Sequence, residues 1–123
     1  MAPLRQLFRY TVVGAVATAT HYALLVLGVE AAGWPAWWAS GFGAAVGAQV
    51  AYIGNRRYTF DFRGAIRGSW VRFQLTALAG AALGMLIVAG AVRLGLHYLI
   101  GQVVATLASL LLTFAINRVW SFR

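Results

Sequence analysis

Four apolar stretches, each close to 20 residues long, occupy most of this 123-residue chain. They run over about residues 10–29, 37–53, 73–92 and 98–116. A helix needs about 20 apolar residues to cross the hydrocarbon core of a bilayer, and only helices and closed barrels satisfy their backbone hydrogen bonds there. The stretches therefore predict an all-α integral membrane protein with four transmembrane helices, in a single membrane domain over residues 1–123.

Charged residues are too few to cover the surface of a soluble protein. They make up 10% of the chain, whereas the surface of a soluble domain carries about 25–35% of them. There is no Cys, which excludes disulfides and thiolate metal sites. The net charge of +8 comes from arginines that flank the apolar stretches. It therefore favours membrane lipids, and not nucleic acid, as partners.

The arginines lie on one side of the predicted helices. Nine of the ten precede the first stretch, separate the second from the third, or follow the fourth, and only Arg93 falls on the other side. The positive-inside rule then predicts that both termini are cytoplasmic. It also predicts a basic cytoplasmic loop over about residues 61–70.

A nine-residue sequence motif, here called a phrase, occurs twice in the chain in similar form, 62 positions apart. YIGNRRYTF covers residues 52–60 and FAINRVWSF covers residues 114–122. The duplication predicts an internal repeat of two helical hairpins, one over about residues 7–60 and the other over about residues 71–122. Because each half crosses the membrane twice, the two hairpins have the same orientation, and both phrases fall at cytoplasmic helix ends.

The polar side chains of the two phrases suit an anionic lipid headgroup. Arginine binds phosphate through a rigid fork of donors, and asparagine adds a donor and an acceptor for a phosphate or sugar oxygen. The candidate ligands of a lipid phosphate or sugar are Asn55, Arg56, Arg57, Asn117 and Arg118. The alternative is structural: the asparagines cap helices, the arginines fix the topology and the aromatic residues anchor the helix ends.

Three polar residues inside the apolar stretches form a candidate path across the membrane. They are His21, Gln49 and Gln102. Polar groups at this depth need a partner within the bundle or a wet cavity, and ionisable ones are candidates for function. A neutral His21 that is hydrogen-bonded to a neighbouring helix is the simpler interpretation.

Glycine pairs spaced four residues apart occur in the second and third stretches. Gly43 and Gly47 form one pair, and Gly80 and Gly84 form the other. Small residues at this spacing let helices approach closely in lipid. We expect them to pack within the chain, with an oligomer contact as the alternative.

No constellation of catalytic or metal-binding residues is visible in the sequence. The two acidic residues, Glu30 and Asp61, fall on opposite sides of the predicted membrane, which excludes a carboxylate pair. His21 and His97 lack further ligands close by. We expect a protein that is not an enzyme and that binds no metal or cofactor. The absence of a carboxylate inside a helix also argues against a small proton-coupled multidrug exporter.

The phrase endings NRRYTF and NRVWSF resemble those of the GtrA-like family of four-helix membrane proteins. RYTVVGAVATATHYALL, over residues 9–25, is similar to the opening of that family, so the resemblance covers nearly the whole chain. The chain departs from the family at His21, where many members carry an acidic or amide residue. It also departs at Val119, which stands where the first phrase has a second arginine.

The resemblance implies translocation of a polyprenyl-phosphate-linked sugar across the bacterial cytoplasmic membrane, for glycosylation of surface polysaccharide. Four short helices enclose little volume, so we expect a homo-oligomer or a complex with a partner. The alternative is a non-transporting adaptor that recruits or stabilises a membrane glycosyltransferase.

Overall fold

The computed structural model describes residues 3–59 and 66–116, which form four α-helices and one π-helical segment. The elements are α1 (Pro3–Glu30), α2 (Ala36–Gly54), the π segment (Asn55–Thr59), α3 (Ile66–Arg93) and α4 (Tyr98–Ile116). Helix α1 pairs with α2, α3 pairs with α4, and α2 packs against α3. The described part of the chain thus contains two helical hairpins, and their origin as an internal repeat stays a prediction.

The two hairpins match in the lengths of their helices and in their turns. Helices α1 and α3 have 28 residues each, and α2 and α4 have 19 each. Each turn contains a glycine with a positive φ, Gly33 at 70° and Gly95 at 83°. Glycine adopts this conformation without the steric cost that other residues meet. An internal repeat would produce these correspondences, which extend beyond the duplicated phrases.

The helix bundle has two ends that differ in charge. The turn end carries the turns at Gly33 and Gly95. The arginine end is the opposite end, where α1 and α3 begin and α2 ends. Its described arginines are Arg5, Arg9, Arg56, Arg57, Arg67 and Arg72.

Helix α3 begins earlier than the sequence predicted. The basic loop that we expected over residues 61–70 is helical from Ile66 onward, so that part of the prediction was wrong. The apolar run starts only at Phe73 because Arg67 and Arg72 interrupt it. A helix of 28 residues is about 42 Å long, against about 30 Å for the hydrocarbon core, so its charged first turns extend beyond the apolar layer.

The outside of the bundle is strongly apolar. Leu86 and Leu111 are 73% and 72% exposed. The helical segments Phe8–Glu30 and Arg67–Arg93 are long and apolar enough to cross a membrane, and Tyr98–Thr113 is a shorter apolar segment. Several of the most buried side chains are polar instead, namely those of Ser40, Thr59, Thr76 and Gln102. Apolar residues outside and polar residues inside are the distribution that a lipid environment favours.

Glycine pairs bring the helices of each hairpin into close contact. A Cβ atom on Gly43 would lie 2.6 Å from the carbonyl oxygen of His21, and one on Gly47 would lie 3.0 Å from that of Ala17. The pair that begins at Gly80 faces side chains of α4 instead, where an added Cβ would lie 2.9 Å from Thr113 Cγ2, and one on Gly84 would lie 3.5 Å from Ser109 Oγ. Both pairs therefore pack within the chain, which confirms the expected intramolecular role.

Both hairpins have a contact between a glycine and an alanine near the turn end. The glycine is on the first helix in one hairpin and on the second helix in the other. Near the turn end, Gly28 of α1 faces Ala39 of α2, where an added Cβ would lie 2.9 Å from the alanine Cβ. Ala91 of α3 and Gly101 of α4 make the matching contact at 2.7 Å. In each hairpin one helix supplies the methyl group and the other supplies a glycine opposite it.

Substituting Gly43 by alanine tests the close contact between α1 and α2. We expect the Gly43→Ala variant to lose about 1–3 kcal/mol of stability, because the new Cβ meets a backbone oxygen that cannot move aside alone. The measurement is thermal denaturation of the purified protein in detergent. Gly90→Ala is the matched control, since a Cβ there meets no atom within 4 Å and alanine is the better helix former. Equal losses in both variants would contradict the packing described here.

A polar cavity between the four helices

A cavity of about 290 Å³ lies between the four helices. Its polar lining residues are Tyr10, Thr18, His21, Ser40, Asn55, Thr76, Gln102, Thr106, Ser109 and Thr113. Along α2 and the start of the π segment, the lining extends from Ser40 to Asn55, which is 15 residues further along and about 22 Å away. The cavity therefore follows most of the thickness of a hydrocarbon core of about 30 Å.

The wall of the cavity is weakest between α1 and α4. The exposed residues among those that line the cavity all belong to α1 and α4. Tyr10 of α1 and Leu110 of α4 both line the cavity and are 47% and 61% exposed. A gap thus connects the polar interior with the outside of the bundle near the arginine end.

Hydrogen bonds tie three helices together toward the turn end of the cavity. Ser40 Oγ donates to Gln102 Oε1 at 2.6 Å, and both side chains are buried. Gln102 Nε2 in turn donates to Thr106 Oγ1 at 3.2 Å, and the Tyr22 hydroxyl bonds the same Thr106 oxygen at 2.7 Å. Ser40 and Gln102 are 62 residues apart, so two matching positions of the hairpins meet face to face here.

Gln49 is separated from the other two residues of the predicted path. Its Nε2 donates to Gln74 Oε1 at 2.7 Å, and Gln74 Nε2 donates back to Gln49 Oε1 at 3.3 Å. This reciprocal amide pair joins α2 to α3, and Gln49 does not line the cavity. The structure therefore brings His21 and Gln102 to one cavity and places Gln49 in a helix interface.

The imidazole of His21 lies against the bare backbone of α2. A Cβ on Gly43 would lie 2.8 Å from the ring atom Cδ2, so the ring occupies the space that the glycine leaves. The ring lies close to the backbone of Ser40. Its Nε2 is buried and has no partner within the described part of the chain. An unsatisfied buried polar atom costs about 1–3 kcal/mol, so this nitrogen calls for an explanation.

Asn55 begins the π segment at the arginine end of the cavity. Its φ of −69° and ψ of −39° continue the helical backbone, so it does not cap α2 in the left-handed conformation. Its Oδ1 accepts a hydrogen bond from Thr59 Oγ1 at 2.8 Å. Within the described residues its Nδ2 has no acceptor, and the side chain lines the cavity. A free amide donor therefore stands at the arginine end.

Three of the five predicted phosphate ligands lie in the π segment. Asn55 lines the cavity, Arg56 is half-buried and Arg57 is exposed. Asn117 and Arg118 lie outside the described residues. A shared headgroup site between the two phrases therefore stays a prediction.

Arg9 holds the π segment against α1, a role that the sequence analysis missed. Its Nη1 donates to the carbonyl oxygen of Tyr58 at 3.0 Å, and its guanidinium lies 4.7 Å from the centre of the Tyr58 ring. Sequence reasoning used Arg9 only for the topology, because nothing local in the sequence pairs residues 49 positions apart. π-Helical segments occur frequently at functional sites, so the residue that fixes this one belongs to the candidate site.

Replacing Arg9 by glutamine tests this clamp. We expect amide hydrogen exchange over residues 55–59 to accelerate about tenfold in Arg9→Gln, because the cation–π contact and a charged hydrogen bond are lost. The measurement is hydrogen–deuterium exchange of the protein in lipid nanodiscs. Arg5→Gln is the control, since Arg5 is an exposed arginine at the same end of α1. Unchanged exchange in Arg9→Gln would contradict the clamp.

A family comparison agrees with this architecture. The family model described as GtrA/DPMS, transmembrane domain, matches residues 9–123, which include most of α1 and the whole of the other helices. A search of curated proteins found no match. Membership of this family associates a chain with the handling of glycosyl lipids in membranes. The match confirms the resemblance described above, and the chain, an integral membrane protein, belongs to the GtrA/DPMS transmembrane domain family.

Proposed function

We propose that this protein translocates a polyprenyl-phosphate-linked sugar across the bacterial cytoplasmic membrane, for glycosylation of surface polysaccharide, and that it does so without catalysing a reaction. The observation that supports the proposal is the polar cavity, which extends from Asn55 to Ser40 inside an apolar bundle. A sugar headgroup in hydrocarbon loses the hydrogen bonds that it makes with water, at a cost of several kcal/mol for each unsatisfied group. A polar lining lowers that cost along the way.

The arginine end supplies the positive charge that a lipid phosphate needs. Arg56 is half-buried and follows Asn55, whose Nδ2 can donate to a phosphate or sugar oxygen. The guanidinium keeps its charge at any relevant pH and binds phosphate through two parallel hydrogen bonds. In the proposal Arg57 assists Arg56, and Asn117 with Arg118 contribute the same chemistry from the second phrase.

The gap between α1 and α4 allows the lipid tail to remain in the bilayer while the headgroup is in the cavity. A polyprenyl chain is too long to enter a cavity of about 290 Å³. The gap near Tyr10 and Leu110 lets the headgroup enter while the tail stays in the bilayer. The headgroup can then cross along the cavity with its tail following in lipid.

The volume of the cavity is also the observation that favours a second candidate function. Small-molecule sites usually enclose about 300–1,000 Å³, so this cavity is at the low end of the range. We propose that a homo-oligomer or a glycosyltransferase partner enlarges it. The second candidate is an adaptor that does not transport but recruits or stabilises a membrane glycosyltransferase, with exposed arginines such as Arg57 and Arg67 as contacts.

Transport is tested with purified protein in liposomes that contain a labelled polyprenyl-phosphoryl sugar. We expect the wild type to move the lipid between leaflets, measured as label that becomes accessible to an impermeant reagent. Asn55→Leu and Arg56→Gln should slow this about tenfold, since each removes a hydrogen bond to a charged group. Arg67→Gln is the control because it removes the same charge from an exposed position at the same end.

Two results would contradict the transport proposal. Equal rates in the wild type, Arg56→Gln and Arg67→Gln would show that the π segment does not bind the phosphate. Absence of transport by the wild type, together with a co-purifying glycosyltransferase whose activity requires this chain, would support the adaptor instead.

We propose that the arginine end faces the cytoplasm, as the positive-inside rule predicts. The chain has no Cys, so single cysteines report the orientation directly. Gly68 lies at the arginine end, Ala31 lies at the turn end, and both are exposed. In intact cells we expect an impermeant thiol reagent to label Ala31→Cys and not Gly68→Cys. Labelling of Gly68→Cys alone would reverse the orientation, and labelling of both would indicate dual topology.

A further inference from the structure

We propose that Thr18 and His21 of α1 form a subsite that binds uncharged hydroxyl groups of the headgroup in the cavity. The inference rests on the proposed function and assigns the sugar-binding role to two residues of the first hairpin. Both line the cavity. Because they are three residues apart on a helix, they share a face, with their Cβ atoms about 5–6 Å apart.

The hydroxyl of Thr18 is unusual among the threonines of these helices. Thr20, Thr76 and Thr113 donate to the carbonyl oxygen four residues earlier, as threonines in helices often do. Thr18 makes no such bond, and within the described residues its hydroxyl has no protein partner. Its side chain is exposed and lines the cavity, so the hydroxyl is available as both donor and acceptor.

His21 supplies an acceptor beside this hydroxyl. The ring lies close to the backbone of Ser40, and its buried Nε2 has no partner within the described residues. In the neutral imidazole that carries its proton on Nδ1, this Nε2 is a hydrogen-bond acceptor. A small rotation of the ring toward the cavity would let Nε2 accept from a ligand hydroxyl. That bond would remove the cost of its present unsatisfied state.

Most of the other polar groups of the cavity are already used within the protein. Gln102 accepts from Ser40 and donates to Thr106, whose hydroxyl also bonds Tyr22. The Ser109 hydroxyl donates to the carbonyl oxygen of Gly80 at 2.8 Å. These groups hold the helices together, and Thr18, His21 and Asn55 retain unused hydrogen-bonding capacity.

The chemistry of the lining limits the ligand to an uncharged group at this depth. Among the described residues that line the cavity there is no Arg, Asp or Glu. A carboxylate or ammonium group on the sugar would therefore be buried without a counter-charge, which is costly in a membrane. Neutral hydroxyl groups do not carry this cost. They can bond to the Thr18 hydroxyl, which is both donor and acceptor, and to the acceptor Nε2 of His21.

The depth of the subsite fits a sugar attached to a phosphate at the arginine end. A Cβ on Gly54 would lie 2.7 Å from Val13 Cγ1, so Val13 marks the level of Asn55 on α1. Thr18 and His21 are five and eight residues further along, about 7.5 and 12 Å deeper. This distance suits a single sugar unit and is too short for an oligosaccharide.

Only the first hairpin provides this subsite. The close contacts of Gly84 with Ser109 and Ala105 match those of His21 with Gly47 and Gly43 in the first hairpin. The matching position on α3 is therefore a glycine. The position that matches Thr18 is Ala81, which also lines the cavity. We therefore expect one hydroxyl-binding subsite per chain.

Binding of two lipids distinguishes the subsite from the phosphate site. The probes are a polyprenyl phosphate and the same lipid carrying one neutral hexose, titrated into the protein in nanodiscs. We expect Thr18→Val to weaken binding of the sugar-bearing lipid about fivefold, the value of one hydrogen bond, and to leave the bare phosphate lipid unaffected. Thr20→Val is the matched control, because the Thr20 hydroxyl bonds Val16 of its own helix and does not line the cavity.

Nitrogen NMR of the histidines gives a second readout. The chain contains two histidines, and His97 is exposed in the turn between α3 and α4, where it serves as an internal reference. With ¹⁵N-labelled histidine we expect the sugar-bearing lipid to shift the Nε2 resonance of His21, and the bare phosphate lipid and His97 to show no change.

Three outcomes would overturn the inference, and they differ in what they leave standing. If Thr18→Val weakens both lipids equally, or Thr20→Val has the same effect, the hydroxyl supports the fold and not the ligand. If the sugar-bearing lipid binds without moving the His21 resonance, the subsite is wrong while phosphate binding stands. If neither lipid binds the wild type, the subsite and the proposed function fail together.

Discussion

Every polar group in hydrocarbon must find its partner inside the protein, and this constraint organises the whole bundle. The amide pair of Gln49 and Gln74 meets it between α2 and α3, and Ser40 with Gln102 meets it between α2 and α4. Thr18, His21 and Asn55 keep unused hydrogen-bonding capacity within the described residues, and all three line the cavity. The polar groups that already have protein partners hold the helices together.

Close packing and the cavity have a common origin in small residues. Gly43 and Gly47 let α1 approach α2 so closely that the ring of His21 rests on backbone. Small residues further along the same helices leave the space that becomes the cavity. The two hairpins match in helix lengths and turns but place their bulk differently, as the exchange of Gly28 and Ala39 for Ala91 and Gly101 shows. A nearly symmetric scaffold thus encloses an asymmetric interior.

Particular residues show how far sequence reasoning reached. Helix number and hairpin pairing followed from the apolar stretches, whose length is dictated by the bilayer. The start of α3 was misplaced because Arg67 and Arg72 interrupt the apolar run, while a helix tolerates charge once it leaves the hydrocarbon. The clamp of Arg9 on Tyr58 and the pairing of Gln49 with Gln74 depend on contacts between distant residues, which no local pattern encodes.

The sequence by itself determined that this chain is a four-helix membrane protein of two hairpins. The hydrophobicity and length of the apolar stretches and the duplicated phrase are visible in the sequence without knowledge of contacts between distant residues. The sequence also identified the residue types that suit a lipid phosphate. Only the tertiary structure decided that His21 and Gln102 share a cavity that excludes Gln49. It alone showed that Thr18 lacks the usual bond to its own helix. The reason is physical: whether a polar group is satisfied depends on what the neighbouring helix places opposite it.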